Sequence, residues 1–266
     1  MEASRQETQS PRSLSIEEKT KFILSTLPRM AEHTFPFLGS VIGIQNSKTG
    51  RHIGSALRCV LHGKRAILTA QHVIREAQNE PAGFAISAGY GRAPFVVHGP
   101  VNIDPVADLA VYFLPQDYPD DSAIAFWPRG RTDREQMRLA TDYLFLHGFP
   151  GDPSHSYSSQ VFQGVLNRSL PYGAMQRIDN LPDDLTPIQF AIEYSAAGMS
   201  NSSGIAQTPV DPHGLSGSPV WRIGLSGRSA RLWQPDDSLL VGVVTQWRPE
   251  QNVLVATSIS QLPPDW

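Results

Sequence analysis

Cysteine is almost missing from this chain: Cys59 is the only one in 266 residues. No intrachain disulfide can form, so the fold rests on its core, and a reducing, cytoplasmic setting is expected. Long apolar runs are missing too. The longest are strand-sized, which excludes a membrane-spanning helix. No lysine or arginine run occurs and the formal net charge is −3, so neither nucleic acid nor anionic membrane is an expected partner. The polar start, Met1 to Arg12, has no apolar segment of the kind a secretory leader needs. Paired Cys/His zinc spacings, a phosphate-binding glycine loop, a dinucleotide glycine pattern and an EF-hand are all lacking. Neither a metal nor a cofactor is therefore expected.

What is present is apolar bulk, 40 % of the residues, enough for one large core or two smaller ones. Residues 1–13 are polar and read as a disordered leader. A helix is expected next. Ser15 and Glu18 form a capping-box pattern, Ile16, Phe22, Ile23, Leu27 and Met30 make an apolar stripe, and Pro28 should end or bend it. This helix either packs on the body of the protein or serves as a regulatory arm.

From Phe37 the texture becomes short β-rich runs between Gly, Pro, Asn and Asp. Strands are expected at 38–45, 53–62, 65–69, 83–88, 94–98 and 109–114, with a helical turn after His72. A charged, proline-rich stretch at 115–138 reads as a linker. A second group follows at 141–147, 160–167, 188–194, 218–223, 239–247 and 253–258. The fold class is all-β. Residues 1–35 are leader and helix, 36–125 the first strand group and 126–266 the second. The loop at 195–213, rich in Ser, Ala, Gly and Pro, should be mobile.

Three segments carry chemistry. Gly214-Leu215-Ser216-Gly217-Ser218-Pro219 can turn tightly and expose the Ser216 hydroxyl. Thr69-Ala70-Gln71-His72-Val73 offers a base at the end of a strand, and Asp108-Leu109-Ala110-Val111 a carboxylate at the start of one. A serine needs a base to take its proton. The base needs an acceptor to hold its tautomer and stabilise its charge. Each segment also has an ordinary reading: a Gly/Ser turn, one of eight histidines, and a loop aspartate opening a strand.

Taken in the order His, Asp, Ser, these segments resemble the chymotrypsin-like serine peptidases, and more closely their bacterial HtrA-like branch. The resemblance runs over roughly residues 36–260. It implies two packed six-stranded antiparallel β-barrels with the site between them. It makes Ser216 the nucleophile, His72 the general base and Asp108 its orienter, with the Gly214 and Ser216 backbone N–H groups as oxyanion hole. Leu146–Gly151 and Gln189–Tyr194 are similar to two further stretches of that branch. By the same match, Gly242-Val243-Val244-Thr245-Gln246-Trp247 is the strand that pairs with a peptide substrate. Thr245 would then bond Asp108, Trp247 would shorten the specificity pocket, Val210 would floor it, and His213 would line the cleft. Asp211 faces the same region. The implied substrate is a protein or peptide, cut after small or medium apolar residues.

The sequence departs from the pattern at two points. Leu215 precedes the serine where digestive members carry Asp, so activation through an ion pair there is not expected. The sequence ends at Trp266, just after the last expected strand, so no PDZ domain is expected. Regulation would then fall to the helix, the 195–213 loop or a protein partner. A catalytically silent scaffold is the second reading. A serine esterase is the third; its usual Gly-x-Ser-x-Gly elbow is not matched, because Ser218 stands at +2 and the histidine comes first.

Overall fold

The computed structural model describes residues 16–46, 49–87, 94–116, 118, 124–128, 143–151, 156–158, 170–175, 177–178, 185–195, 211–223 and 233–262. The expected leader, the 160–167 strand, most of the linker, residues 196–210 and the Ser15 cap lie outside them.

Two antiparallel sheets form the body. The first runs in the order β5 (Phe95–Val96), β4 (Phe84–Ile86), β1 (Leu38–Ile44), β2 (Thr49–Leu61), β3 (Lys64–Ala70), β7 (Leu109–Phe113) and β6 (Asn102–Asp104). The second runs β10 (Leu170–Met175), β8 (Leu144–Gly148), β13 (Pro219–Arg222), β14 (Leu239–Arg248), β15 (Val253–Ser258), β12 (Gln189–Glu193) and β11 (Arg177–Ile178). A three-residue strand, β9 (Ser156–Ser158), crosses over to pair with Thr49–Arg51 of β2. The all-β, two-barrel architecture expected from the sequence is the one observed. The short strands β6, β9, β10 and β11 were not legible, because two- to six-residue edge pieces carry too little alternation.

Both sheets bury both faces. β1, β2 and β15 are almost wholly buried, as is β3 from Ala66 onward. One core fills the first sheet (Val41, Ile67, Val73, Ala110) and another the second (Leu146, Phe190, Val220, Val244). A third joins them. It packs Leu57, Leu68 and Val111 against Phe145, Trp221 and Val243.

The helix α1 (Ile16–Thr34) belongs to that third core through Leu27 and Met30. Pro28 neither ends nor breaks it; the helix continues for six more residues to Thr34. An internal proline costs about 3 kcal/mol. Burial of the two side chains beside it offsets that loss, and Arg29 adds bonds to the Trp233 carbonyl and Gln234 Oε1. The surface-docked reading of the helix therefore describes its C-terminal half. The turn expected after His72 is a helix, α2 (Gln71–Gln78), tied to β2 by Arg51, which pairs with Glu76 at 2.7 Å and Glu80 at 2.5 Å.

Candidate active site

Register places two of the three chemical residues. β3 pairs with β7 so that Ala70 faces Leu109. One step beyond, the Gln71 N–H donates to the Asp108 carbonyl at 3.0 Å. The chain turns out of the sheet at Asp108, whose φ of 51° lies in the left-handed region that a non-glycine residue rarely adopts. That turn aims both carboxylate oxygens at His72. Oδ1 accepts the His72 backbone N–H at 3.0 Å and Oδ2 sits 2.7 Å from Nδ1. A carboxylate only accepts, so Nδ1 carries the proton and Nε2 keeps its lone pair. The His72 side chain is 40 % exposed, so this lone pair is reachable.

Ser216 sits in the turn before β13, held between the two sheets. Its carbonyl accepts the Ser55 N–H of β2 at 2.8 Å, and the next N–H, of Gly217, donates to Val244 of β14 at 2.7 Å. Gly54 shows how close the parts lie. A Cβ there would come within 2.7 Å of the Val73 side chain and 2.9 Å of the Ser216 carbonyl. Ser216 Oγ itself has no hydrogen-bond partner among the described residues, His72 included. A contact between Ser216 and His72 is the one link of the expected set that the structure does not make. Gly214 and Gly217 both have positive φ, 84° and 86°, as a tight turn of this kind demands. Neither the Gly214 nor the Ser216 N–H donates to another group among the described residues.

The wall beside this turn is aromatic. Trp247, half-buried, packs edge-on against Tyr194 at 5.2 Å, and Tyr194 against the buried Tyr172 at 5.6 Å. Burial first, and then the nearby charge of Asp211, push the Tyr194 hydroxyl up to about 12. Asp211 accepts the His213 N–H at 3.0 Å and also faces its ring Nδ1, so its carboxylate is engaged within its own turn. Gln246 is exposed. Pairing of β14 with β13 ends at Val243, whereas pairing with β15 continues to Arg248. Residues 245–248 thus have no strand on their second side among the described residues. Val210 lies outside those residues.

Thr245 does not reach Asp108. Its hydroxyl is buried against the Val255 carbonyl and Thr257 Oγ1 at 3.5 and 3.4 Å. Thr257 instead donates to the Ala107 carbonyl at 2.8 Å, so a residue of β15 braces the aspartate's turn from the second sheet. The resemblance pointed to the right strand pair but the wrong threonine. No local pattern marks Thr257.

Sequence reasoning also passed over His52 and His147, which are buried. Desolvation lowers His52 to about 4 and His147 to about 3. Above pH 6.5 both are neutral folded or unfolded, and their full contribution to stability is present. Below it the unfolded chain takes up protons that the native state refuses. Stability should then fall by about 1.4 kcal/mol per pH unit for each ring, down to pH about 4 for His52 and about 3 for His147. Urea unfolding at pH 7.5 and pH 5 checks this; equal midpoints would contradict it.

No helix among the described residues is long and apolar enough to cross a membrane, and no group of His, Cys, Asp and Glu among them could hold a metal ion.

Two facing antiparallel barrels, with His72 and Asp108 at the mouth of one and Ser216 on the turn that enters the other, define the chymotrypsin-like fold. One solved structure agrees on the fold, and two others are more distantly similar. An inactivated protease paralogue of the scabies mite is similar at a TM-score of 0.50 and 16 % identity, over 85 % of this chain and 90 % of that one. Human heparin binding protein gives 0.49 and 15 %, over 85 % and 87 %. The tobacco vein mottling virus protease gives 0.48 and 11 %, over 86 % and 79 %. No family model and no curated protein matches the chain.

Proposed function

We infer that this chain is a serine endopeptidase that hydrolyses peptide bonds through an acyl-enzyme. The observation that carries the reading is the two-point clasp of Asp108 on His72, 3.0 Å to the backbone N–H and 2.7 Å to Nδ1. In this reading substrate adds as a strand along 245–248 and its scissile carbonyl lies over Ser216. Closure of the Ser216 Oγ to His72 Nε2 contact lets His72 take the proton as Oγ attacks. The oxygen that gains charge accepts from the Gly214 and Ser216 N–H groups. His72 returns the proton to the leaving amine. Water then repeats the sequence on the acyl-serine and frees the acid. Asp108 holds the ring and offsets its positive charge throughout. Trp247 narrows the pocket, which favours small or medium apolar residues before the cut; a peptide panel preferring Lys or Arg there would overturn that point.

A catalytically silent scaffold is the competing reading, favoured by the open Ser216 Oγ and by the inactivated protease among similar structures. A fluorophosphonate probe separates the two. Labelling of the wild type, lost in Ser216→Ala and strongly reduced in His72→Ala, is expected. No labelling of the wild type would favour the scaffold.

A further inference from the structure

Three groups outside the Ser216–His72–Asp108 set converge on the loop that carries Gly214. Ser55, in the middle of β2, is fully buried. Its Oγ donates to the Gly214 carbonyl and accepts the Phe149 N–H, both at 2.8 Å. His52, three residues earlier in β2, is buried as well. Its Nε2 lies 2.7 Å from the Phe149 carbonyl, and the ring packs against Gly214, where an added Cβ would come within 2.5 Å of Nε2. The third group is the Gly151 N–H, which donates to the His213 carbonyl at 2.7 Å.

The bonds of His52 admit one tautomer. Desolvation keeps the ring neutral near pH 7, with a single N–H and a single lone pair. Carbonyl oxygens only accept, so the proton is on Nε2. Nδ1 then accepts the Ser40 hydroxyl, 2.7 Å away. Both ring nitrogens are thereby engaged, Nε2 by the Phe149 carbonyl and Nδ1 by Ser40, which fixes the ring against Gly214.

The two peptide planes flanking Gly214 are both held by their oxygens. A trans peptide points its N–H opposite to its carbonyl. With the His213 oxygen bound to Gly151, the Gly214 N–H is turned away from the 148–151 turn. With the Gly214 oxygen bound by the Ser55 hydroxyl, the Leu215 N–H is left to close on the Pro212 carbonyl at 2.9 Å. Rotation of either plane would break at least one of these bonds. Leu215 is apolar and fully buried, so it contributes no charge to the loop. Space agrees with bonding, since a Cβ on Gly214 would come within 2.5 Å of His52 Nε2 and 2.7 Å of the Phe149 carbonyl.

We propose that Ser55 and His52 are positioning residues that hold the oxyanion-hole loop in its working conformation, so that the chain needs no cleavage or ion pair to set it. This inference rests on the function proposed above. It extends the site to two residues that touch no substrate.

The test is the rate of fluorophosphonate labelling, measured beside thermal unfolding. Ser55→Ala deletes the donor to Gly214 and the acceptor for Phe149, and His52→Leu deletes the ring's polar atoms. Each is expected to lower the maximal labelling rate about tenfold or more, with the probe concentration for half-maximal rate little changed. His52→Gln carries an amide N–H that can meet the same Phe149 carbonyl, and should keep at least about a third of the wild-type rate. Loss with Leu and rescue by Gln at matched Tm is a split that a merely structural role would not give. Rates within about twofold of wild type for both Ser55→Ala and His52→Leu would overturn the proposal. So would a loss that follows Tm across every variant. If Ser55→Ala does not fold, the two His52 variants decide by the same thresholds. A wild type that does not label overturns the proposed function itself, and this inference falls with it.

Discussion

Asp108→Asn should slow fluorophosphonate labelling by about 10³- to 10⁴-fold while the protein stays folded. The substitution keeps size and shape, and the amide oxygen can still accept the His72 backbone N–H now bound at 3.0 Å. The other end of the side chain changes character. Oδ2, an acceptor 2.7 Å from Nδ1, becomes an NH2 donor. Two donors cannot face each other, so the ring moves its proton to Nε2 and presents N–H, not a lone pair, toward Ser216. The base is lost without loss of packing. The negative charge that would offset the imidazolium disappears as well. Rates at pH 7.5 with Tm beside them make the check. A decrease below about tenfold would mean that His72 does not act as the base.

Gly217→Ala carries the largest expected cost to the fold itself. A Cβ at this position would overlap the Ser55 carbonyl oxygen and Thr69 Oγ1, which are bonded to each other at 2.7 Å. The backbone is also in the left-handed region, φ 86°, where an alanine is strained by roughly 1–2 kcal/mol. Relief requires the turn to leave β2, which breaks the bond from the Ser55 N–H to the Ser216 carbonyl. A destabilisation of about 4 kcal/mol or more is expected, which lowers Tm on the order of 10 °C. Labelling should vanish even where the protein remains folded. Wild-type Tm and labelling in this variant would show that the turn is not seated as described.

How much of this was legible in advance depends on the range of each interaction. The main strands of the first sheet, β1, β2, β3 and β7, announced themselves because they carry β-rich runs bounded by turn residues. The three chemical segments were legible for a related reason. A nucleophile turn needs glycine, and a base at a strand end needs a fixed frame, so Gly214–Pro219 and Thr69–Val73 carry local signatures. That the helix would not end at Pro28 was not legible, because local propensity counts the missing N–H but not the core that holds Leu27 and Met30. Thr245 was misread because which of two adjacent threonines reaches the Asp108 turn depends on the bulge between Val244 and Gln246.

By itself, the sequence determined the absence of disulfides, the all-β texture, the order His72, Asp108, Ser216 and the glycines around the serine. These are properties of composition and short-range pattern. Only the tertiary structure decided that Asp108 leaves its strand through a left-handed turn, and that Thr257 rather than Thr245 braces it. It alone decided that Ser55 and His52, from a strand with no motif, hold the loop behind Ser216. Those contacts join residues from 97 to 159 positions apart for His52, Ser55 and Thr257. Such a contact depends on sheet register and on the seating of one barrel against the other, and neither leaves a mark in the sequence near the residues it joins.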